Sequence, residues 1–246
     1  MSDAATAALR ELDRLLETDA PALRADLPPG FAHAAARYVA LLLEANARWN
    51  LTRIVEPAAV ARLHLLDALS ALPILDAASP SRALDLGSGG GVPGIVLAIA
   101  RPDVAWTLVD SVRKKADALR SFVAALGLAN VTVLAERAEL LGRDPSHRER
   151  HDLVTARACA PLPVLAEYAL PLLRAGGTVV AWKGRIGAAE LAAGNVAADL
   201  LGGRLELRPS GITSLGDHRF ALMTRERATP DRYPRRAGEP ARRPLG

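Results

Sequence analysis

The sequence predicts an α/β fold: a mostly parallel seven-stranded sheet with helices on both faces, preceded by an N-terminal helical cap. Three observations carry this. From Arg82 onward, short apolar runs alternate with helix-length runs, the pattern of a parallel sheet wound through crossover helices. The first of those strands breaks into the glycine-rich stretch LDLGSGGGVPG, residues 84–94, directly before an apolar helical run. The second strand ends in Asp110, about twenty residues beyond the glycines, where nucleotide-type folds place an acid on ribose hydroxyls.

Taken in order, residues 2–18 and 30–48 are rich in Ala, Leu and Arg with helical periodicity, and the breaker Leu27, Pro28, Pro29, Gly30 separates them. Pro57 opens a third helix that runs to about Ser70 and carries His64, and Pro73 with Pro80 marks the approach to the sheet. Residues 1–80 thus form the cap. The core, 81–225, reads as strands at 82–87, 104–110, 131–135, 152–156, 177–182, 204–209 and 218–224. Helices at 91–100, 112–126, 161–173 and 187–201 connect them. The short link between the last two strands predicts an antiparallel hairpin at one edge. Residues 226–246 are a basic tail. Ligands of such sheets bind beyond the C-terminal strand ends, which selects Gly87, Asp110, Ala138 with Glu139, and Arg157.

The glycines let the backbone turn sharply and let a ligand approach without a Cβ in the way, and the unpaired amides of the following helix point at that ligand. A literal G-x-G-x-x-G falls on Gly89, Gly91 and Gly94 and suggests NAD(P). Asp85, two residues before the first glycine, argues for a different ligand. A carboxylate there suits the ammonium and sulfonium of S-adenosylmethionine, directly or through water, and repels a pyrophosphate. Arg113, Lys114 and Lys115 after the second strand suit the 2′-phosphate of NADP, so an NADP-dependent reductase remains the alternative.

Composition narrows the class. The chain has 246 residues, half of them apolar, and its single cysteine, Cys159, excludes an intramolecular disulfide and a Cys-cluster metal site. Neither a basic-then-apolar leader nor an apolar run of membrane-spanning length is read in the sequence, so a soluble, cytoplasmic protein without a metal is expected. From Arg225 onward seven Arg face three acids, which accounts for the whole net charge of +4. Such a tail is either a solvated end or a phosphate contact. Only three lysines occur, Lys114, Lys115 and Lys183, all just after strand ends, and Lys183 in AWKG is a candidate phosphate contact.

The rim after the fourth strand separates kinds of chemistry. The [Asn/Asp]-Pro-Pro-aromatic turn used on exocyclic amines is absent. Cys159 as a nucleophile toward cytosine has only Ala158 and Ala160 beside it, which activate nothing. A ring nitrogen such as guanine N7 needs neither device, because its lone pair lies in the ring plane, and positioning with charge complementarity supplies the catalysis. No side chain is therefore assigned to catalysis. Arg157, in TARACAPLP, stands nearest, suited to an RNA phosphate or to the donor carboxylate.

The segments NLT (50–52), HLLDAL (64–69), DLGSGGGVPGI, LVDSVRKK, RAEL, ARA around Arg157, AWKG and the tail YPRRAGEPARRPL together resemble the bacterial 16S ribosomal RNA guanine-N7 methyltransferases, also called the glucose-inhibited division protein B family. The resemblance spans residues 46–246. It implies a Rossmann-like class I methyltransferase that moves a methyl group from S-adenosylmethionine to N7 of one guanosine in the decoding region of small-subunit RNA. Its partner would be the small ribosomal subunit, and the protein is expected to act as a monomer. Carried over by motif, Gly87, Val92, Ala138, Glu139 and Arg157 would bind the donor. Gly89 and Asp110 join them from the loop and its spacing. Arg113, Lys114, Lys115, Lys183, Arg235 and Arg236 would contact RNA, whereas His64 and Asn50, though within family motifs, receive no catalytic role. Ser88 and the run of three glycines after it stand where many members of the family have Thr or a bulkier residue, which is expected to loosen the turn and leave donor binding intact. A non-enzymatic assembly factor that retains the fold is the remaining rival.

Overall fold

The structure is a computed structural model and describes residues 2–246. Its cap opens with α1 (Asp3–Asp19), where the Ser2 hydroxyl accepts from the Ala5 amide at 3.3 Å and closes the first turn. Ala5, Ala8, Leu12, Leu15 and Leu16 share one face at helical spacing, and all are buried. A short α2 (Pro21–Ala25), which the sequence does not announce, precedes α3 (Phe31–Trp49). The third cap helix is not uniform. It runs as α4 (Pro57–Val60), a π-helical turn (Ala61–Leu66) and α5 (Asp67–Leu69), followed by α6 (Leu72–Ala78). The widened turn bears His64, and π-turns often mark functional positions.

This last stretch corrects one expectation. Pro57–Ala78 is long and apolar enough to cross a membrane by length and composition, with a mean hydropathy of 1.5. Interspersed Arg62, His64 and Asp67 obscure it in the sequence. Of its most apolar window, 72% is buried inside the molecule, where it forms the seam between cap and sheet.

The sheet has seven strands: β1 (Arg82–Leu86), β2 (Ala105–Val109), β3 (Val131–Leu134), β4 (His151–Arg157), β5 (Leu173–Lys183), β6 (Gly203–Pro209) and β7 (Arg219–Arg225). They lie in the order β3-β2-β1-β4-β5-β7-β6. The first five are parallel, and β7 runs antiparallel to both β5 and β6, giving the hairpin at the edge. Connecting helices are α7 (Gly94–Ala100), α8 (Arg113–Leu126), α9 (Ala138–Leu141), α10 (Leu162–Ala169) and α11 (Ala188–Leu200), with α12 (Glu239–Arg242) in the tail. One face of the sheet shares a core with the cap, α7 and α8, through Tyr38, Leu42, Ile95 and Leu119; the other buries α10 and α11. The chain moves outward in one direction from β1 to β3 and in the other from β4, so a crevice opens at the C-terminal ends of β1 and β4.

Boundaries shift where local geometry overrides periodicity. The helix expected over 91–100 begins only at Gly94, because Gly91 is left-handed, with φ of +102°. The helix expected to 173 ends at Ala169 in a single 3-10 turn before β5 starts early, at Leu173.

Candidate active site

The glycine loop follows β1 and folds against its own neighbours. Gly87 has φ of +68°, and a Cβ there would stand 3.1 Å from Cys159 Sγ, so both the turn and the close approach of the β4–α10 loop require glycine. Ser88 is buried and pins the loop three ways. Its amide donates to Val109 O (3.0 Å), its hydroxyl donates to Asp85 O (2.9 Å), and that hydroxyl accepts from the Val109 amide (3.2 Å). Ser88 thus holds the turn, and any loosening of the loop does not come from this residue. The cap closes the loop from behind, where buried Tyr38 donates to Gly90 O at 2.9 Å.

Asp85 does not reach a ligand directly. It is fully buried, accepts from Thr155 Oγ1 at 2.7 Å, and burial pushes its carboxyl up to about 6 against hydrogen bonds from Thr155 and Ser88. A Cβ on Gly94 would lie 2.4 Å from Leu108 and 2.7 Å from the Asp85 carboxylate, so this glycine serves helix-to-strand packing. Asp110 combines two duties. Its Oδ2 accepts from the Gly89 amide (3.0 Å) and its Oδ1 from the Val112 amide (2.8 Å), which ties the glycine loop to the start of α8.

Beyond these strand ends lies a cleft of about 320 Å³, lined by Gly87, Asp110, Lys115, Ala138, Glu139 and Tyr168 among others. Glu139 is buried and accepts from the Gly238 amide of the tail (2.6 Å) and from Arg137 (3.3 Å). Cys159 also lines the cleft, exposed to it, and desolvation by the cleft walls together with Asp85 and Asp110 pushes its thiol up to about 11. A thiol held that high is no nucleophile at neutral pH.

A second cavity, of about 490 Å³, opens between cap and sheet and is lined by Ile54, Leu63, Asp67, Arg157, Trp182 and His218 among others. Ala158, left-handed at φ +52°, lines both spaces. The Arg157 guanidinium is anchored to the cap, donating to Leu63 O (2.5 Å), Asp67 Oδ2 (3.3 Å) and His64 Nδ1 (3.1 Å). Since a guanidinium only donates, His64 Nδ1 is the acceptor and His64 Nε2–H donates to Thr52 Oγ1, 2.9 Å away. Burial and the nearby Arg157 charge lower His64 to about 4, which keeps it neutral. Buried Asp67 also accepts from His218 Nδ1 at 3.0 Å.

Gly87, Asp110, Ala138 and Glu139 are thus brought together in one cleft. Arg157 faces the second cavity instead, because the cap carboxylate and imidazole draw it there. Gly89 stands behind the cleft on Asp110, and Val92 is buried in the core shared with the cap. Among the RNA candidates, Arg113, Lys114 and Arg236 are exposed and Lys115 half-buried. Lys183 is engaged by Glu190 (2.9 Å) and Ala160 O (3.1 Å), and Arg235 by the fully buried Glu167. Sequence reasoning missed Asp67 and His218, although HLLDAL does place His64 and Asp67 three residues apart. Among the described residues no three His, Cys, Asp or Glu side chains gather as a metal site.

Comparison with known proteins gives the family and the fold. Residues 32–212 match the model of the GidB family, rRNA small subunit methyltransferase G. The chain is 45% identical over 237 residues to the ribosomal RNA small subunit methyltransferase G of Deinococcus deserti, covering 96% of this chain and 97% of that one. It is 44% identical to that of Deinococcus radiodurans, over 99% and 95% of the two chains. An O-methyltransferase from Streptomyces achromogenes, solved with SAM, superposes with a TM-score of 0.53 at 19% identity over 77% of this chain and 90% of its own. An S-adenosyl-L-methionine-dependent methyltransferase fold from Methanococcus maripaludis gives 0.55 at 14% identity over 78% and 93%. The chain belongs to the rRNA small subunit methyltransferase G family and has the fold of S-adenosylmethionine-dependent methyltransferases.

Proposed function

We propose that this protein transfers a methyl group from S-adenosylmethionine to N7 of a guanosine in the decoding region of 16S ribosomal RNA, acting as a cytoplasmic monomer. The observation that carries the choice of donor is the fate of the loop amides. Those of Ser88, Gly89 and Gly91 are spent on Val109 O, Asp110 Oδ2 and Ser88 O, so they form no cradle for a pyrophosphate. A phosphate-free ligand with a cationic head fits a cleft walled by Asp110 and Glu139. S-adenosylmethionine, when bound, supplies an electrophilic methyl group on a sulfonium.

The chain's own residues then have a limited task. Because the lone pair of N7 lies in the ring plane, no side chain is called on to remove a proton, and the residues have only to orient the base against the donor cleft. Donor cleft and second cavity meet at Ala158, which allows the two reactants to approach there. Arg157, fixed by Leu63, His64 and Asp67, lines the second cavity, where its positive charge suits guanine O6. Exposed Arg53, Arg62 and Arg185 near the second cavity, with Arg113, Lys114 and Arg236 beyond the donor cleft, supply charge for phosphates. Calorimetric titration tests the donor assignment. Saturable binding of S-adenosylmethionine without binding of NADPH is expected; tight NADPH binding with no response to S-adenosylmethionine would overturn it.

A further inference from the structure

The basic tail is built into the molecule. Arg148 donates to Tyr233 O (2.8 Å) and Thr229 O (3.1 Å), and both Tyr233 and Thr229 are buried. Thr229 Oγ1 donates to Leu201 O at 2.8 Å. A Cβ on Gly142 would meet the Pro234 ring at 2.8 Å, so the segment lies closely against the turn after α9. These contacts cost ordering entropy that a phosphate-seeking arm has no reason to lose.

Two carboxylates on the core face this segment. Glu167 of α10 has no solvent exposure and accepts from the Arg235 amide (2.7 Å), from its Nε (2.9 Å) and from its Nη2 (2.5 Å). Glu139 of α9 accepts from the Gly238 amide three residues further on. The residue after Glu167 is Tyr168, and Tyr168 and Glu139 form one wall of the donor cleft. The charge of a carboxylate buried as deeply as Glu167 is costly without a cation beside it, so the Arg235 guanidinium and amide together fix how the tail sits on α10.

We infer that residues 226–246 are a clasp that sets the α9–α10 wall of the donor cleft, with Arg235 as its positioning residue rather than an RNA contact. This rests on the reading of that cleft as the donor site. Arg235→Ala alone would strand the Glu167 charge, so the informative variant is Arg235→Met with Glu167→Leu, which removes both partners in the full-length chain. Calorimetry with S-adenosylmethionine and filter binding with small-subunit RNA are read side by side. Donor Kd is expected to rise about tenfold while RNA affinity stays within about twofold of the parent. Arg235→Lys retains the charge but loses the forked geometry, and its donor Kd rises about threefold. Unchanged donor Kd in either folded variant overturns the clasp, as does weakened RNA binding with donor binding intact. If the unaltered protein binds no S-adenosylmethionine, the reading of the cleft itself falls, an outcome distinct from failure of the clasp.

Discussion

Gly87 shows how a single position constrains the site. Its left-handed backbone and the 3.1 Å approach of Cys159 Sγ act together, so Gly87→Ala should destabilise the loop by about 1–2 kcal/mol and raise donor Kd. An unaltered Kd in calorimetry would remove Gly87 from the site. Arg157→Ala is expected to lower kcat by about a hundredfold and to leave donor Kd nearly unchanged, since the side chain faces the second cavity. Equal turnover by the variant would exclude it. Cys159 should alkylate far more slowly at neutral pH than a free thiol, its rate climbing with pH toward about 11. Fast labelling at neutral pH would reopen the thiolate mechanism. That Gly87, Asp110 and Glu139 gather in one cleft was legible in the sequence, because each follows the end of a parallel strand. Tyr38 on Gly90 and His218 on Asp67 were not, since they meet across 52 and 151 residues of chain.

Among the elements, the loop from β4 to α10 separates the two cavities, and one side chain of α11 secures it. Glu190 Oε1 accepts from Lys183 Nζ (2.9 Å) and from the Leu162 amide (3.0 Å), joining the end of β5 to the start of α10. Glu190→Ala should free this loop, raising KM for RNA severalfold and speeding hydrogen exchange at the Leu162 amide; unchanged exchange would show that the loop is held otherwise. Lys183 is in this way a strut, a role hidden in the sequence because a lysine at a strand end reads the same whether it is free or paired with an acid seven residues on. The strands and long helices were legible from period alone. The π-turn at Ala61–Leu66 and the short α2, α6 and α9 were not, because a segment of a turn or two carries too little pattern to stand out.

For the whole molecule, stability should depend on pH through buried groups. His64 and His151 are lowered to about 4, both chiefly by burial, so between that value and the ordinary 6.5 the unfolded chain binds protons that the native one does not, and stability falls as pH falls. Asp85, raised to about 6, works the other way between 3.8 and 6, one group against two. Urea midpoints should therefore be lower near pH 5 than near pH 7, and His151→Leu should flatten the dependence; a midpoint that rises on acidification would contradict the assignment. The mostly parallel sheet and its edge hairpin were legible as a whole, whereas the fastening of the tail to Glu139 and Glu167 was not, since a basic, Pro-containing end reads the same whether solvated or docked. The central claim, methyl transfer to guanine N7, is tested most directly by incubating the protein with small ribosomal subunits and isotope-labelled S-adenosylmethionine, then digesting the RNA for nucleoside mass spectrometry. Labelled 7-methylguanosine at one position in the decoding region is the predicted result. Label on an exocyclic amine or on cytosine, or no label in RNA despite donor binding, would contradict it.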